Sequence, residues 1–318
     1  MERQENRINW YPGHMARSRR LLQDQLKRTD VVVEVCDARL PHSSRNPDLN
    51  RMTRGKKRIL LLNKADLADP KVTEQWLEKY RRQGLTAAGV NVLKGGNKEI
   101  LSLIGRETKE IADRAVERGI RKTLRGMIIG VPNVGKSTLI NRLSGGRTLE
   151  TGDRPGVTRS NRWVKITPYL ELLDTPGMLW PRLDDQTAAR RLCYIGTVKD
   201  DVVDLEDLAL HLLEDLARVR PDSLKERFHV EDPRLRGAEL LDAVCRGRGW
   251  LLKGGRMDYD RLSHVVLDEF RAGKLGRITL ETPEGEAPAE EEEQAEEERD
   301  GRENEDLPGG ACPGTAPV

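Results

Sequence analysis

No apolar run in the sequence approaches the roughly 18 residues that a membrane-spanning helix needs. The first residues, MERQENRINWYPGH, carry no apolar core of the signal-peptide kind. Cysteines stand at Cys36, Cys193, Cys245 and Cys312, nowhere at CxxC spacing, so neither a disulfide framework nor a zinc site is indicated. These absences set the expectation of a cytoplasmic protein in a reducing compartment, with no membrane partner.

What is present fits that picture. The chain has 318 residues, enough for one α/β domain and a smaller second unit. Hydrophobic residues make up 36% and charged residues 34%, a balance expected of a water-soluble protein. The net charge of +2 conceals an asymmetry: residues 281–318 hold 14 acidic residues and two arginines, which leaves residues 1–280 at +14. A body that basic suits a polyanion, nucleic acid above all, although basic surfaces also serve solubility.

The order of patterns along the chain gives the fold class. A basic, helically spaced segment (MARSRRLLQDQLKRTD) precedes DVVVEVCDAR, whose β-branched run reads as a buried parallel strand. KRILLLNKADL is a second strand ending in a polar loop, AAGVNVL a weaker third, and residues 97–118 read as a charged helix. RGMIIGVPNVGKSTLINRLSG reads strand, loop, helix, and NRWVKITPYLELLDTPG reads as two strands with a turn at Thr167-Pro168. The expectation is an α/β domain over residues 1–180 with a mostly parallel sheet covered on both faces. Beyond residue 184 the apolar residues recur at helical spacing: Leu205, Leu208, Leu212, Leu216 and Val219; Leu240, Leu241, Val244 and Cys245; and Tyr259, Leu262, Val266 and Phe270, with Asp258 placed to cap. Residues 184–280 therefore read as a small all-α domain, basic enough to bind RNA. Residues 281–318 have almost nothing apolar to bury and read as a disordered acidic tail.

Three segments carry chemistry. Gly130-Val-Pro-Asn-Val-Gly135-Lys136-Ser137 fits G-x-x-x-x-G-K-[ST] between an apolar strand and a helix. Its glycines let backbone N–H groups at Asn133, Val134, Gly135 and on to Thr138 face phosphates. Lys136 neutralises the β/γ oxygens, and the Ser137 hydroxyl ligates Mg²⁺. Asn63-Lys64-Ala65-Asp66 follows the strand ILLL. The Asp66 carboxylate can accept both N1–H and the exocyclic amine of guanine, a donor pair that adenine lacks. The Asn63 amide can meet the acceptor edge, and the Lys64 stem can cover the base. Asp174-Thr-Pro-Gly177 ends a further strand; Asp174 can hold Mg²⁺ through water and the Gly177 N–H can contact a γ-phosphate. In Arg154-Pro-Gly-Val-Thr158-Arg, Thr158 is the candidate to complete the Mg²⁺ shell, with a plain flexible loop as the other reading.

Together these residues resemble the TRAFAC class of GTPases, with one difference of order. Ordinary members run phosphate loop, threonine loop, DxxG, then NKxD; here NKAD at 63–66 precedes the phosphate loop at 130–137, as in the circularly permuted GTPases. Permutation leaves the site intact, because the motifs still converge at the carboxyl ends of one sheet. Asn91 then matches the weak fifth motif near guanine, although AGVNV departs from the usual Ser-Ala pattern. Asn9-Trp10-Tyr11-Pro12-Gly13-His14-Met15, DARLPHSSRNP at 37–47 and GVPNVGKST at 130–138 narrow the resemblance to the ribosome biogenesis GTPase A family, over residues 8–278.

That resemblance implies GTP hydrolysis with Mg²⁺ during late assembly of the large (50S) ribosomal subunit, with rRNA and the subunit precursor as partners; a monomer is a separate expectation, which the resemblance does not supply. A GTPase acting on another structured RNA and a nucleotide-dependent RNA-binding scaffold are the alternatives. Related GTPases ligate potassium through an asparagine at the position of Asn133, which implies K⁺ stimulation. After DTPG stands Met178, where many relatives have a water-orienting glutamine, and a thioether cannot align water. His14, brought near the nucleotide in the family, is the candidate catalytic group; anchoring its segment or contacting RNA are its other readings. His42 is read as structural or RNA-facing.

Overall fold

The computed structural model describes residues 20–47, 49–146, 149, 162–177 and 185–285. His14, Thr158, Met178 and the acidic tail from 286 onward lie outside the described residues.

A helical segment at 20–26 leads into β1 (Val31–Asp37), whose seven residues are all buried, the expectation for a strand covered on both faces. A short helix, α1 (Leu49–Met52), and β2 (Lys57–Asn63) follow. Helix α2 (Pro70–Arg82) starts where Asp69 accepts from the N–H groups of Lys71 and Val72, with Pro70 in the first turn where a missing N–H costs nothing. Then come β3 (Thr86–Gly89), α3 (Asn97–Glu117), β4 (Leu124–Ile129), α4 (Lys136–Leu143), β5 (Arg162–Thr167) and β6 (Leu170–Asp174). The third strand stops at Gly89, short of the expected VNVL: Val90 N–H still reaches the Leu62 carbonyl, but Asn91 then starts a turn by accepting from Leu93 and Lys94 N–H, and the Val92 carbonyl accepts from Arg142 of α4.

The sheet order is β3-β2-β1-β4-β6-β5, parallel throughout except for the β5–β6 hairpin. From β1 the chain moves outward through β2 and β3; from β4 it moves the other way. The order thus reverses between β1 and β4, the position at which open α/β sheets hold ligands beyond the carboxyl ends of their strands. Register places Asp37 level with Asn63 at that edge, and Asp174 ends β6 beside Ile128 of β4.

Five helices follow among the described residues: α5 (Gln186–Tyr194), α6 (Leu205–Val219), α7 (Pro221–Phe228), α8 (Gly237–Arg248) and α9 (Tyr259–Arg271). Asp185 caps α5 and Asp258 caps α9 by accepting from Arg261 N–H. Leu212, Leu213 and Leu216 of α6 pack with Val244 of α8 and Leu262 and Val266 of α9, all buried, and this core is continuous with the apolar residues beneath the sheet. Glu281, at the head of the acidic stretch, is buried: its carboxylate accepts from the backbone N–H groups of His42 and Ser43, from the Ser43 hydroxyl and from Arg191. Residues 283–285 form a single 3₁₀ turn. Among the described residues no helix is long and apolar enough to cross a membrane.

Candidate functional site

The loop from Gly130 to Gly135 has the backbone that its glycines permit. Gly130 has φ of 151°, and a Cβ there would overlap the Val35 carbonyl oxygen of β1. Gly135 has φ of 99°, and a Cβ there would lie 2.5 Å from the Asn63 amide nitrogen. Asn133, at φ 63°, takes the left-handed conformation that asparagine tolerates better than most residues. Helix α4 begins at Lys136, so its first N–H groups point into the same concavity.

Lys136 is buried, and its Nζ donates to the Val131 carbonyl at 2.8 Å across the mouth of the loop. Burial lowers its pKa to about 8, with the Asp174 carboxylate opposing the shift. The Ser137 hydroxyl donates to Asp174 Oδ2 at 2.9 Å. A hydroxyl and a carboxylate side by side are hard oxygen donors of the kind Mg²⁺ takes. Among the described residues no cluster of three His, Cys, Asp or Glu could hold a metal by itself. Thr138 follows, half-buried, in the first turn of α4.

The Asp174–Gly177 loop lies against this one. Thr175 Oγ1 donates to the Ile128 carbonyl at 2.7 Å, and a Cβ on Gly177 would come within 2.6 Å of Pro132 Cα. The two loops therefore move against each other only at the cost of these contacts.

The NKAD segment joins from the other side. Asn63 is buried, with Nδ2 donating to the Val134 carbonyl at 2.7 Å and Oδ1 accepting from Val92 N–H at 3.2 Å. Its amide nitrogen has a second hydrogen for a base acceptor. Lys64, at φ 58°, donates to the Asn133 carbonyl at 2.7 Å and lies 3.1 Å from Asp37 Oδ2. Asp66 is part-exposed, with Lys94 Nζ 3.6 Å away. Asn91 caps the neighbouring turn, its Oδ1 accepting from the N–H groups of Leu93 and Lys94. Asn133 Nδ2 donates to the Gly196 carbonyl just beyond α5, so the phosphate loop also touches the helical bundle.

Sequence reasoning passed over Asp37 and Arg39 as site residues. Both are buried; Arg39 Nε and Nη2 reach the Asp37 carboxylate at 2.9 and 2.8 Å, and Arg39 Nη1 donates to the Phe270 carbonyl of α9 at 2.8 Å. Burial acts to raise the Asp37 pKa, but Arg39 and Lys64 outweigh it and hold the carboxyl well below the usual range. The signal available was an Asp and an Arg directly after an apolar strand. His42 stacks on Trp76 with ring centres 6.2 Å apart, its backbone N–H fixed by Glu281.

Comparisons with known proteins place the chain in a family. A family model described as "50S ribosome-binding GTPase" matches residues 125–234. The chain is 46% identical to ribosome biogenesis GTPase A of Bacillus cereus over 279 residues, covering 87% of this chain and 94% of that protein. It is 32% identical to the Thermotoga maritima protein of the same name over 288 residues, covering 90% and 98%. The crystal structure of GNP-bound YlqF from T. maritima superposes with a TM-score of 0.61 at 28% identity, covering 84% of this chain and 99% of that one. With phosphate loop, base loop and DTPG loop gathered at one sheet edge, the chain belongs to the ribosome biogenesis GTPase A family and is a GTP hydrolase.

Proposed function

We propose that this GTP hydrolase acts in late assembly of the large ribosomal subunit, binding an immature subunit through rRNA in its GTP state and leaving after hydrolysis. The observation that carries the proposal is the joining of the three motif loops to one another and to the helical bundle: Asn63 to Val134, Ser137 to Asp174, Gly177 against Pro132, and Asn133 to Gly196.

In this reading Asp66 selects guanine, Asn63 and Lys64 set the height of the base, and Asn91 shapes the adjoining turn. The N–H groups of Gly130 to Thr138 hold the phosphates, and Lys136 exchanges the Val131 carbonyl for phosphate oxygens. Mg²⁺ is the metal that GTPases generally use; Ser137 and Asp174, with Thr158, would hold it, and it would neutralise charge on the β and γ phosphates. The Asn133 amide oxygen is the group that would take K⁺. His14 is the group proposed to orient water in place of a glutamine at Met178. The name of the matching family model and the +14 charge of residues 1–280 support a ribosomal, RNA-bearing partner met in the cytoplasm by a monomer of this chain. Residues 1–180 supply the GTPase domain and 184–280 the RNA-binding helices.

Sedimentation with purified large-subunit precursors tests the proposal. More protein is expected to co-sediment with a non-hydrolysable GTP analogue than with GDP, and binding is expected to weaken steeply with salt. Equal binding in both states, or binding to free RNA alone, would overturn it.

A further inference from the structure

After α9 the chain runs from Gly273 to Glu281 along the base loop. Ile278 N–H donates to the Leu67 carbonyl at 2.9 Å, Asp69 N–H donates to Thr279 Oγ1 at 3.1 Å, and Leu280 N–H donates to the Arg39 carbonyl at 3.0 Å. The Trp76 indole N–H closes the run by donating to the Glu281 carbonyl at 3.0 Å. Gly273 lies so near the loop that a Cβ would come within 2.5 Å of Leu67 Cδ2.

Arg277 makes the contact with the most direct consequence. Its Nε donates to the Ala68 carbonyl at 2.9 Å and its Nη2 to the Ala65 carbonyl at 3.0 Å. Those two carbonyls bracket Asp66 in the chain. A planar guanidinium holding both at once sets the spacing across the turn, which a point-like ammonium cannot do. The same residue is also tied to the bundle through its backbone: Arg220, between α6 and α7, donates to the Arg277 carbonyl at 3.3 Å.

We propose that Arg277 is a positioning residue for guanine recognition: by clamping Ala65 and Ala68 it holds the Asp66 carboxylate where it can accept from N1–H and the exocyclic amine together, and it ties that geometry to the helical bundle. The proposal rests on the reading of Asp66 as the base-selecting group. Two hydrogen bonds to one carboxylate demand a narrow range of height and angle. A loop released from the clamp keeps its charge and sequence but meets the base poorly. Inosine lacks the exocyclic amine, so the preference for GTP over ITP reads this geometry directly.

The test measures affinities for GTP, GDP and ITP, together with kcat, KM and Tm, for the full chain and for Arg277→Ala, Arg277→Lys and Asp66→Asn. Arg277→Ala is expected to weaken GTP and GDP alike by about ten-fold and to shrink the GTP/ITP preference by about three-fold or more. KM is expected to rise far more than kcat falls, with Tm shifted by less than about 3 °C. Arg277→Lys, able to reach one carbonyl at a time, should recover part of the preference. An unchanged GTP/ITP ratio in Arg277→Ala, or a lowered Tm with that ratio intact, overturns the positioning role. Asp66→Asn separates the two failures: it should lose GTP and gain xanthosine triphosphate. If it does so while Arg277→Ala keeps the parent's ratio, the clamp alone is wrong; if it binds GTP like the parent, the base reading falls and the clamp with it.

Discussion

Asn63 and Val134 lie 71 positions apart in sequence, yet the amide nitrogen of one donates to the carbonyl of the other at 2.7 Å. With Val92 N–H on its oxygen, the Asn63 amide pins the base loop, the phosphate loop and the turn after β3 to a common point. One side chain thus joins three loops that are far apart in sequence.

Asn63→Ala should weaken GTP and GDP together. Removing the amide leaves the Val92 N–H and Val134 carbonyl short of a partner in a buried place, a cost of about 1–3 kcal/mol. Titration with a fluorescent guanine nucleotide should show a loss of about ten-fold or more in both states. A variant that loses GTP and retains GDP would break the link between the two loops.

Lys136 gives a pH signature. With a pKa of about 8, against an ordinary 10.5, the nucleotide-free protein holds this lysine partly neutral at pH 8. Phosphates restore the charged form, so GTP binding at pH 8–9 should take up a fraction of a proton, with little uptake near pH 6.5. Calorimetry in two buffers of different ionisation enthalpy measures it. For stability the sign is the reverse of a salt-bridged lysine: the unfolded chain binds more protons between about pH 8 and 10.5, so this residue's penalty on the native state fades as pH rises through that window. Lys136→Ala should abolish the proton uptake and most turnover while leaving the fold in place.

Gly177→Ala should separate the two nucleotide states. The added methyl group would press on the Pro132 backbone at 2.6 Å, and relieving that overlap costs about 1–3 kcal/mol. GTP turnover should fall about ten-fold or more, with GDP affinity changed by less than about three-fold. Parent-like turnover would show that the contact between these loops carries no function.

Asn133 tests the monovalent ion. Turnover should be faster in KCl than in NaCl at equal ionic strength, and Asn133→Gly should abolish the difference. Glycine adopts the φ of 63° without strain, so the variant removes the amide and spares the loop backbone. Equal parent rates in the two salts would exclude the ion.

Much of the site was legible because its signals are local. A glycine, a lysine and a serine at fixed spacing after an apolar strand define the phosphate loop over eight residues, and the capped apolar repeat at 258–270 announced α9. The α2 helix went unread although Asp69 and Pro70 mark its start; α7, eight residues long, has too few turns for its apolar spacing to stand out. What no local pattern reveals is pairing across distance. Arg277 is one basic residue among 55 lysines and arginines, and only the folded chain sets it on the carbonyls of Ala65 and Ala68. Arg39 likewise reads as surface charge until the Asp37 carboxylate and the Phe270 carbonyl close around it.

The most direct measurement is the rate of GTP hydrolysis by the full chain with and without purified large-subunit precursors, at constant salt. If the nucleotide site is a switch that the immature subunit reads, intrinsic turnover should be slow and the precursor should accelerate it by about ten-fold or more, with free rRNA or mature small subunits far less effective. A rate unchanged by the precursor, together with equal binding of that particle in the GTP and GDP states, would contradict it.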